Sequence, residues 1–359
     1  MIFISIIVFI IMIAVLVITH EFGHFIVAKK AGMKVEEFGF GFPPRIFGIK
    51  KGETLYSINW IPLGGFVKIV GEDNTEHSDP RSFVNKGFWW KFATLIAGIF
   101  MNFVLAWVLY SIGGVVGLPA EYSPGDQVPA HAVLHSQGVT ITDIEKNSPA
   151  NKAGILSGDI VLNANGKSFD TATNLVAYLK TQDGSTISFL LQRQGKQVTE
   201  NVQSLANPPA GSGAVGIGIS DVGILRYKWY AAPWFGLQQT YYITTSTISG
   251  LYGLIRSGEG LSSLGGPVKI AQLTGEVTRL GLGYVIQFTA YLSVNLAILN
   301  IIPFPALDGG RILFLLIEKI RRKPNNPKIE AMVNTIGFLV LLALIALISI
   351  KDVGSILHK

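Results

Sequence analysis

Four stretches of this chain are apolar over lengths that suit a lipid bilayer, whose hydrocarbon core takes about 20 helical residues to cross. They cover residues 1–28, 92–116, 284–318 and 333–351, the third interrupted by Pro303 and Pro305. The composition agrees with four spans. Of 359 residues, 49% are hydrophobic and only 14% charged, where a soluble globular domain has about 25% charged. Disorder is excluded, and an ordinary soluble enzyme is argued against. The 40 glycines suit close helix packing in a membrane. Without cysteine, disulfide scaffolds, thiol catalysis and cysteine–metal clusters are excluded. The first stretch lacks the basic start and small-residue cleavage site of a signal peptide, and Thr19, His20 and Glu21 continue directly from it, so it is expected to stay as a span.

Basic residues near span ends mark the cytoplasmic side. Lys29, Lys30 and Lys34 follow the first span, and Lys86 and Lys91 precede the second. Lys319, Arg321, Arg322, Lys323 and Lys328 lie between the third and fourth. The connections 29–91 and 319–332 are therefore expected inside. Both termini, the tail 352–359 included, and the stretch 117–283 are expected outside. These loops account for the net charge of +6, so no nucleic-acid partner is expected.

The outer stretch holds a candidate domain at 117–206, its densest signals between Gln137 and Leu205. Val139–Ile141 reads as a strand, Ser148-Pro149-Ala150 as a turn, Ala153–Leu162 as a turn into a buried strand and Asn165-Gly166 as a hairpin turn. Asn174–Lys180 reads as a short helix and Ile187–Arg193 as an alternating strand. The run Ser148–Phe169 resembles the helix-turn-strand segment of a PDZ domain. Residues 207–283 are expected to be a linker (Asn207–Gly216, rich in Pro, Gly and Ser) followed by extracytoplasmic amphipathic helices. A span at Trp229–Ile255 would place the Arg321–Lys323 cluster outside, so that segment is expected to lie on the outer membrane face. Inside, Val35–Val70 reads as a hairpin, with Leu55–Ile61 and Phe66–Val70 as strands and Leu63-Gly64-Gly65 as a turn. Between two spans, such a hairpin can dip into the membrane where protein or a water cavity surrounds it.

The chemistry is carried by His20-Glu21-Phe22-Gly23-His24, an H-E-x-x-H motif inside the first span. Helical residues four apart share a face, so both imidazoles reach one ion, and the glutamate can take a proton from a metal-bound water. From the abundance of His and Glu, chance yields about 0.004 such motifs in a chain this long, too few to explain it. Ionisable groups inside a span are costly and mark function. A catalytic zinc takes three protein ligands. Asp308, the one acidic residue between Tyr284 and Ile317, is the candidate third. It follows Pro303 and Pro305, which break a helix, and precedes Gly309-Gly310. It reads equally as the N-cap of a restarting helix, Arg311–Ile320. Depth agrees with a shared ion: His24 lies about 7–8 Å from the cytoplasmic span end, and Asp308 about 16 Å at most.

These motifs resemble the site-2 proteases, intramembrane zinc metalloproteases, of the bacterial regulator of sigma-E protease type with a single PDZ domain. Besides H-E-x-x-H, Asn300–Gly309 matches N-x-x-P-x-x-x-L-D-G, Pro62–Lys68 matches P-L-G-G-[YF]-V-K, Gly39-Phe40-Gly41 matches G-F-G, and Gly266-Pro267-Val268 matches G-P-V. Ala97, Gly98 and Asn102 match A-G-P-x-x-N except that Ile99 replaces proline, which bears on a bend in the second span and not on the metal. The resemblance implies a membrane protein of α-helical class: four transmembrane helices, a membrane-associated β-hairpin or sheet and one extracytoplasmic PDZ (α+β) domain. It implies zinc on His20, His24 and Asp308, with Glu21 as the catalytic base. Asn300 would contact the unwound substrate backbone. Asn295 either assists or is a helix-packing amide, and Gly64 and Gly65 join them as substrate-contacting candidates. Asn102 is read as structural.

The expected activity is hydrolysis of a peptide bond in transmembrane segments, such as those of anti-sigma factors or remnant signal peptides, at the cytoplasmic half of an inner or plasma membrane. The expected partners are the lipid bilayer and transmembrane-helix substrates already cut by another protease. Two other readings are weighed: a non-catalytic PDZ membrane scaffold or chaperone, and a soluble-facing zincin tethered by its helices. The second would draw its third ligand from a cytoplasmic loop, and the position of His20 within an apolar span speaks against it.

Overall fold

A computed structural model describes residues 2–72, 78–123, 126–208, 213–257 and 265–357. The chain divides into two compact units. The first comprises 1–111, 233–278 and 285–354, and the second 112–232, 279–284 and 355–359.

In the first unit, α1 (Ile2–Lys30) is an unbroken apolar helix. It ends where Gly32 turns left-handed at φ 66°. The amide of Met33 bonds to Ala28 O and that of Gly32 to Lys29 O, the paired bonds of a glycine C-cap. Lys29 and Lys30 in the last turn complement the helix dipole. The chain then enters β1 (Val35–Lys51) and β2 (Thr54–Ile69). Their tight turn is at Gly52, φ 64°. The expected turn at Leu63-Gly64-Gly65 is instead inside β2. The chain doubles back there because Glu37–Phe40 pairs twice, with Leu55–Ile58 and with Gly65–Lys68. The register breaks between β1 and β2 reflect this double use of one strand.

Helices α2 (Phe88–Val116), α5 (Ala232–Ser257), α6 (Pro267–Leu280), α7 (Leu282–Ile301), α8 (Asp308–Arg321) and α9 (Pro327–Leu357) complete the helical set. Four helices among the described residues are long and apolar enough to cross a membrane: Phe3–Lys30, Phe88–Val116, Leu282–Ile301 and Pro327–Gly354. The third apolar stretch, expected as one segment over 284–318, is two helices. Pro303 and Pro305 supply no amide hydrogens for a continuous ladder, and α8 restarts at Asp308 rather than at Arg311. At 14 residues, α8 is too short to span alone.

Helix α5 is formed over the segment expected to be amphipathic. Its Ile243 and Leu251 pack against the cluster of Ala106, Val294 and Ile298. Its hydroxyls bond to its own carbonyls, Thr240 to Gly236 O at 2.8 Å and Thr244 to Thr240 O at 2.7 Å. Thr hydroxyls paired in this way lower the cost of resting a polar helix on apolar neighbours. A second cluster unites Ala28 of α1, Met33, Val35 and Ile69 of the sheet, Phe83, Leu95 of α2 and Leu315 of α8.

The second unit is a six-stranded sheet in the order β3 (Leu118–Glu121), β8 (Ile217–Tyr227), β4 (Ala132–Ile144), β5 (Ile160–Ala164), β6 (Thr186–Arg193), β7 (Lys196–Gln203). Helices α3 (Pro149–Lys152) and α4 (Ala172–Leu179) accompany it. Ser148-Pro149-Ala150, expected as a turn, is the capped start of α3, with the Ser148 side chain accepting from Asn151 N. Asn165 and Gly166, φ 50° and 78°, form the expected tight turn. The expected domain end at 206 falls short of the sheet. β8 lies beyond it and pairs with β4 from Ala132↔Tyr227 to Ile144↔Ile217. A Pro/Gly/Ser-rich segment, of which 209–212 lie outside the described residues, hid that continuation. The core gathers Ile141, Leu175, Ile187, Phe189 and Leu191.

One charge pair underpins this unit. Asp159, 1% exposed, accepts from Arg193 Nε at 2.8 Å, Arg193 Nη2 at 2.7 Å and the amide of Leu156 at 2.9 Å. The carboxylate holds the Arg193 guanidinium above its ordinary pKa. Arg193→Ala strands this carboxylate. Because the guanidinium stays partly hydrated, the expected loss is about 2–3 kcal/mol, below that for a fully enclosed pair. Thermal melting of the full chain, with hydrogen exchange at β5 and β6, would register it.

Candidate metal centre

His20 and His24 lie four residues apart on α1, and both are buried. They share a face because the helix repeats every 3.6 residues. Asp308, the first residue of α8, meets them. His20 Nε2 is 3.1 Å from Asp308 Oδ2, His24 Nε2 is 3.4 Å from the same oxygen, and the two Nε2 atoms are 3.3 Å apart. Among the described residues this trio is the one group of His, Asp or Glu arranged to hold a metal.

The donor chemistry tests whether an ion belongs there. His24 Nδ1 lies 2.7 Å from Thr94 O. A carbonyl oxygen only accepts, so Nδ1 carries the proton and a neutral His24 presents a lone pair at Nε2. That lone pair faces a carboxylate oxygen which is buried and has no hydrogen-bond partner. Acceptors converge this closely only where a proton or a metal cation lies between them. Zinc bonds to N and O of about 2.0–2.1 Å in a tetrahedron put neighbouring ligand atoms about 3.3–3.4 Å apart, which is the triangle observed. The residues present fit zinc.

The scaffold around the trio depends on glycine at two helix contacts. A Cβ on Gly23 would collide with Ala97 O, so α1 and α2 are in backbone contact. A Cβ on Gly98 would collide with His24 Nε2 and lie 2.8 Å from His20 Cε1. The imidazoles therefore rest on the bare backbone of α2. Gly309 and Gly310 let α8 start beneath the carbonyls of Ile301, Ile302 and Phe304, which a side chain would strike. Leu307 occupies the cap position of α8 without a side-chain hydrogen bond. Asp308 therefore stands in the first turn, where the positive helix end favours a carboxylate.

Glu21 follows His20 and is half-buried. It borders the sheet: a Cβ on Gly65 would lie 2.7 Å from Val17 Cγ1 and 3.4 Å from Glu21 Cγ. Gly64 adopts φ 135° with its Cα against the Phe42 ring. Asn300 is half-buried in the last turn of α7. Asn295 donates to Tyr291 O at 2.8 Å within its own helix. Three partners escaped the sequence reading. Thr94 acts through its backbone, which has no residue signature. Ser293 donates to Asn102 O at 2.7 Å. Asn102, read as structural, has Nδ2 3.2 Å from His20 Nδ1. The four-residue spacing of Gly98 and Asn102 was the available signal that both line one face of α2.

Gly98→Ala is expected to push the imidazoles apart and lower zinc occupancy to that of a His24→Ala variant. Metal analysis of the purified, folded proteins checks it.

The sequence matches peptidase family M50 over residues 8–344. A Clostridium perfringens protein named as a candidate zinc metalloprotease is 35% identical over 94% of this chain and 95% of its own. The zinc metalloprotease RasP of Geobacillus kaustophilus is 30% identical over 97% of each chain. The regulator of sigma-W protease RasP of Bacillus subtilis is 28% identical over 97% of this chain and 98% of its own. Among solved structures, the PDZ domain of an SdrC-like protein from Listeria monocytogenes is 18% identical over 26% of this chain and 93% of its own, at a TM-score of 0.21, which fixes no fold. The triangle of ligand atoms inside apolar helices and the match over nearly the whole length agree: the chain belongs to peptidase family M50, the site-2 proteases, and is a multi-pass membrane zinc metalloendopeptidase of intramembrane proteolysis.

Proposed function

We propose that His20, His24 and Asp308 hold the catalytic zinc and that Glu21 is the general base. The carrying observation is the convergence of three buried ligand atoms, 3.1–3.4 Å apart, contributed by a membrane-length helix and a helix restart. Three protein ligands would be the set of a catalytic rather than a structural zinc site. Bound zinc supplies Lewis acidity for the scissile carbonyl and for activating water near neutral pH. Glu21 Oε takes the proton of the attacking water and returns it to the leaving amine nitrogen. His24 is oriented by Thr94 O, and Asp308 by its place at the start of α8.

A transmembrane substrate hides its scissile carbonyl in helical hydrogen bonds and must unwind to be cut. We assign the unwound strand to the edge of β2 at 65–69, which pairs on its other side with β1. Gly65 supports this reading, since it brings β2 against α1 beside Glu21. Gly64 sits at the same bend, and Asn300 supplies a polar group at the end of α7. The Asn295 amide, engaged within α7, assists only if it leaves Tyr291 O. Basic loops support a site in the cytoplasmic half of the cell membrane, with the termini and the second unit outside. The second unit is read as a PDZ domain from its sheet and two short helices, and it acts as a size filter that admits substrates already trimmed by another protease.

Cleavage of a model transmembrane substrate in proteoliposomes tests the site. Glu21→Gln should retain zinc while losing about 100-fold to 10,000-fold in rate. Chelation should silence the wild type and zinc should restore it. A Glu21→Gln protein as active as wild type would remove Glu21 from the mechanism. Single proline substitutions within 66–69 should abolish cleavage and substrate crosslinking to β2 while leaving zinc in place. Undiminished cleavage would sink the added-strand assignment.

A further inference from the structure

The two imidazoles of the trio are held differently at their far nitrogens. His24 has a backbone carbonyl at Nδ1, which fixes its proton there. His20 has the side-chain amide of Asn102, with Nδ2 3.2 Å from Nδ1. Asn102 is fully buried, and its Oδ1 is a buried acceptor without a hydrogen-bond partner. Its backbone oxygen is pinned by Ser293 of α7 at 2.7 Å. The residue is thus anchored between α2 and α7 while its amide addresses the ring.

An amide has a donor end and an acceptor end of nearly the same shape. With the NH2 end toward His20, Nδ1 must be the lone pair, and a neutral ring carries its proton on Nε2. That proton points at Asp308 Oδ2, 3.1 Å away, and occupies the direction a metal bond needs. With the oxygen end toward His20, the ring proton is on Nδ1, the Nε2 lone pair is free, and the orphaned Oδ1 gains a donor. The first arrangement suits the metal-free trio and the second suits the loaded one. A metal-ligating histidine generally donates its other N–H to an oxygen, which fixes the tautomer and raises ligand basicity.

We propose that Asn102 is a positioning residue of the metal centre: its amide oxygen accepts the Nδ1–H of His20 when metal is bound and so directs the Nε2 lone pair onto the ion. The proposal rests on His20 being a ligand, as assigned above. Asn102 then does for His20 what Thr94 O does for His24. The difference is that a side-chain amide can turn end for end, whereas a helix carbonyl cannot. The ring therefore has a partner in both the empty and the loaded state. The alternative is an amide that only packs α2 against α7, for which size matters and an acceptor oxygen does not.

The test is zinc affinity of the full-length protein in detergent, measured by competition with a chromophoric chelator, alongside melting of the metal-free forms. Asn102→Leu keeps the volume and removes the acceptor. It should weaken zinc binding about 10-fold to 100-fold. Asn102→Asp restores an acceptor oxygen and should bind within about threefold of wild type. Asn102→Ala repeats the first comparison without branched bulk if the leucine variant does not fold. Wild-type affinity in the variants lacking the oxygen, or an aspartate variant as weak as they are, would overturn the proposal. His20→Ala separates the two layers. Should it bind zinc as tightly as wild type, the ligand assignment itself fails. Should it lose zinc while the Asn102 variants keep it, only the role of Asn102 falls.

Discussion

Two imidazoles and a carboxylate crowded together in a membrane-spanning bundle need a shared proton or a metal cation between them. Each polar group removed from water costs free energy unless it finds a partner, and an unpaired buried carboxylate costs most. Asp308 Oδ2 has no hydrogen-bond partner, and a neutral His24 turns a lone pair toward it. Much of the first unit serves to keep these atoms in place. Leu315, two turns along α8 from Asp308, packs with Ala28, one turn beyond His24, and with Leu95, one residue beyond Thr94. This apolar cluster sets the relative height of three helices just beside the triangle. Between apolar helices in lipid the hydrophobic effect gives little help, so close packing must do this job. The backbone contacts at Gly23 and Gly98 are how it is done.

The break between α7 and α8 follows from the same demand. A continuous helix would carry Asp308 past the site on whichever face its phase dictated. Ending α7 at Ile301 and restarting at Asp308 uncouples the two phases. Pro303 and Pro305 prevent the ladder from closing across the gap. Gly309 and Gly310 let the new helix begin tucked under the carbonyls of the old one. Ala306, at φ 74°, is a left-handed residue with a side chain, and its amide reaches Asn334 Oδ1 of α9 at 3.3 Å. The turn is thus held from the fourth span as well.

The apolar stretches, the H-E-x-x-H pair and the isolated aspartate were legible because each is a violation of local expectation: too long an apolar run, or charge where lipid forbids it. Less legible were features that obey no residue code. Thr94 contributes a carbonyl, which any residue would offer. The chain does reverse at the expected Leu63-Gly64-Gly65, though within β2. What two adjacent glycines did not reveal is their use in close approach, with Gly65 against Val17 and Glu21 and Gly64 against Phe42. Strand β8 was missed because its partner, β4, lies some 80 residues earlier, and no local pattern encodes a pairing at that range. The signals that failed were those in which glycine or proline has more than one physical use.

The use of Gly65 bears on why a sheet accompanies an intramembrane metal site at all. Helices satisfy their own backbone, and a bundle of them offers no unpaired amides to a substrate. A strand edge does, and under the proposed reading it must stand within reach of Glu21 to be useful. A side chain at 65 would force β2 away from α1, since its Cβ would already crowd Val17 at 2.7 Å. Glycine therefore sets the spacing between the hydrogen-bonding edge and Glu21. The sheet also exposes Phe42, Phe47, Ile49 and Trp60, a surface that lipid would cover at no cost and water would not. Lipid on that apolar surface and α1 at Gly65 would together fix the edge's depth, so under the added-strand proposal packing would set the geometry at the scissile bond as much as the metal.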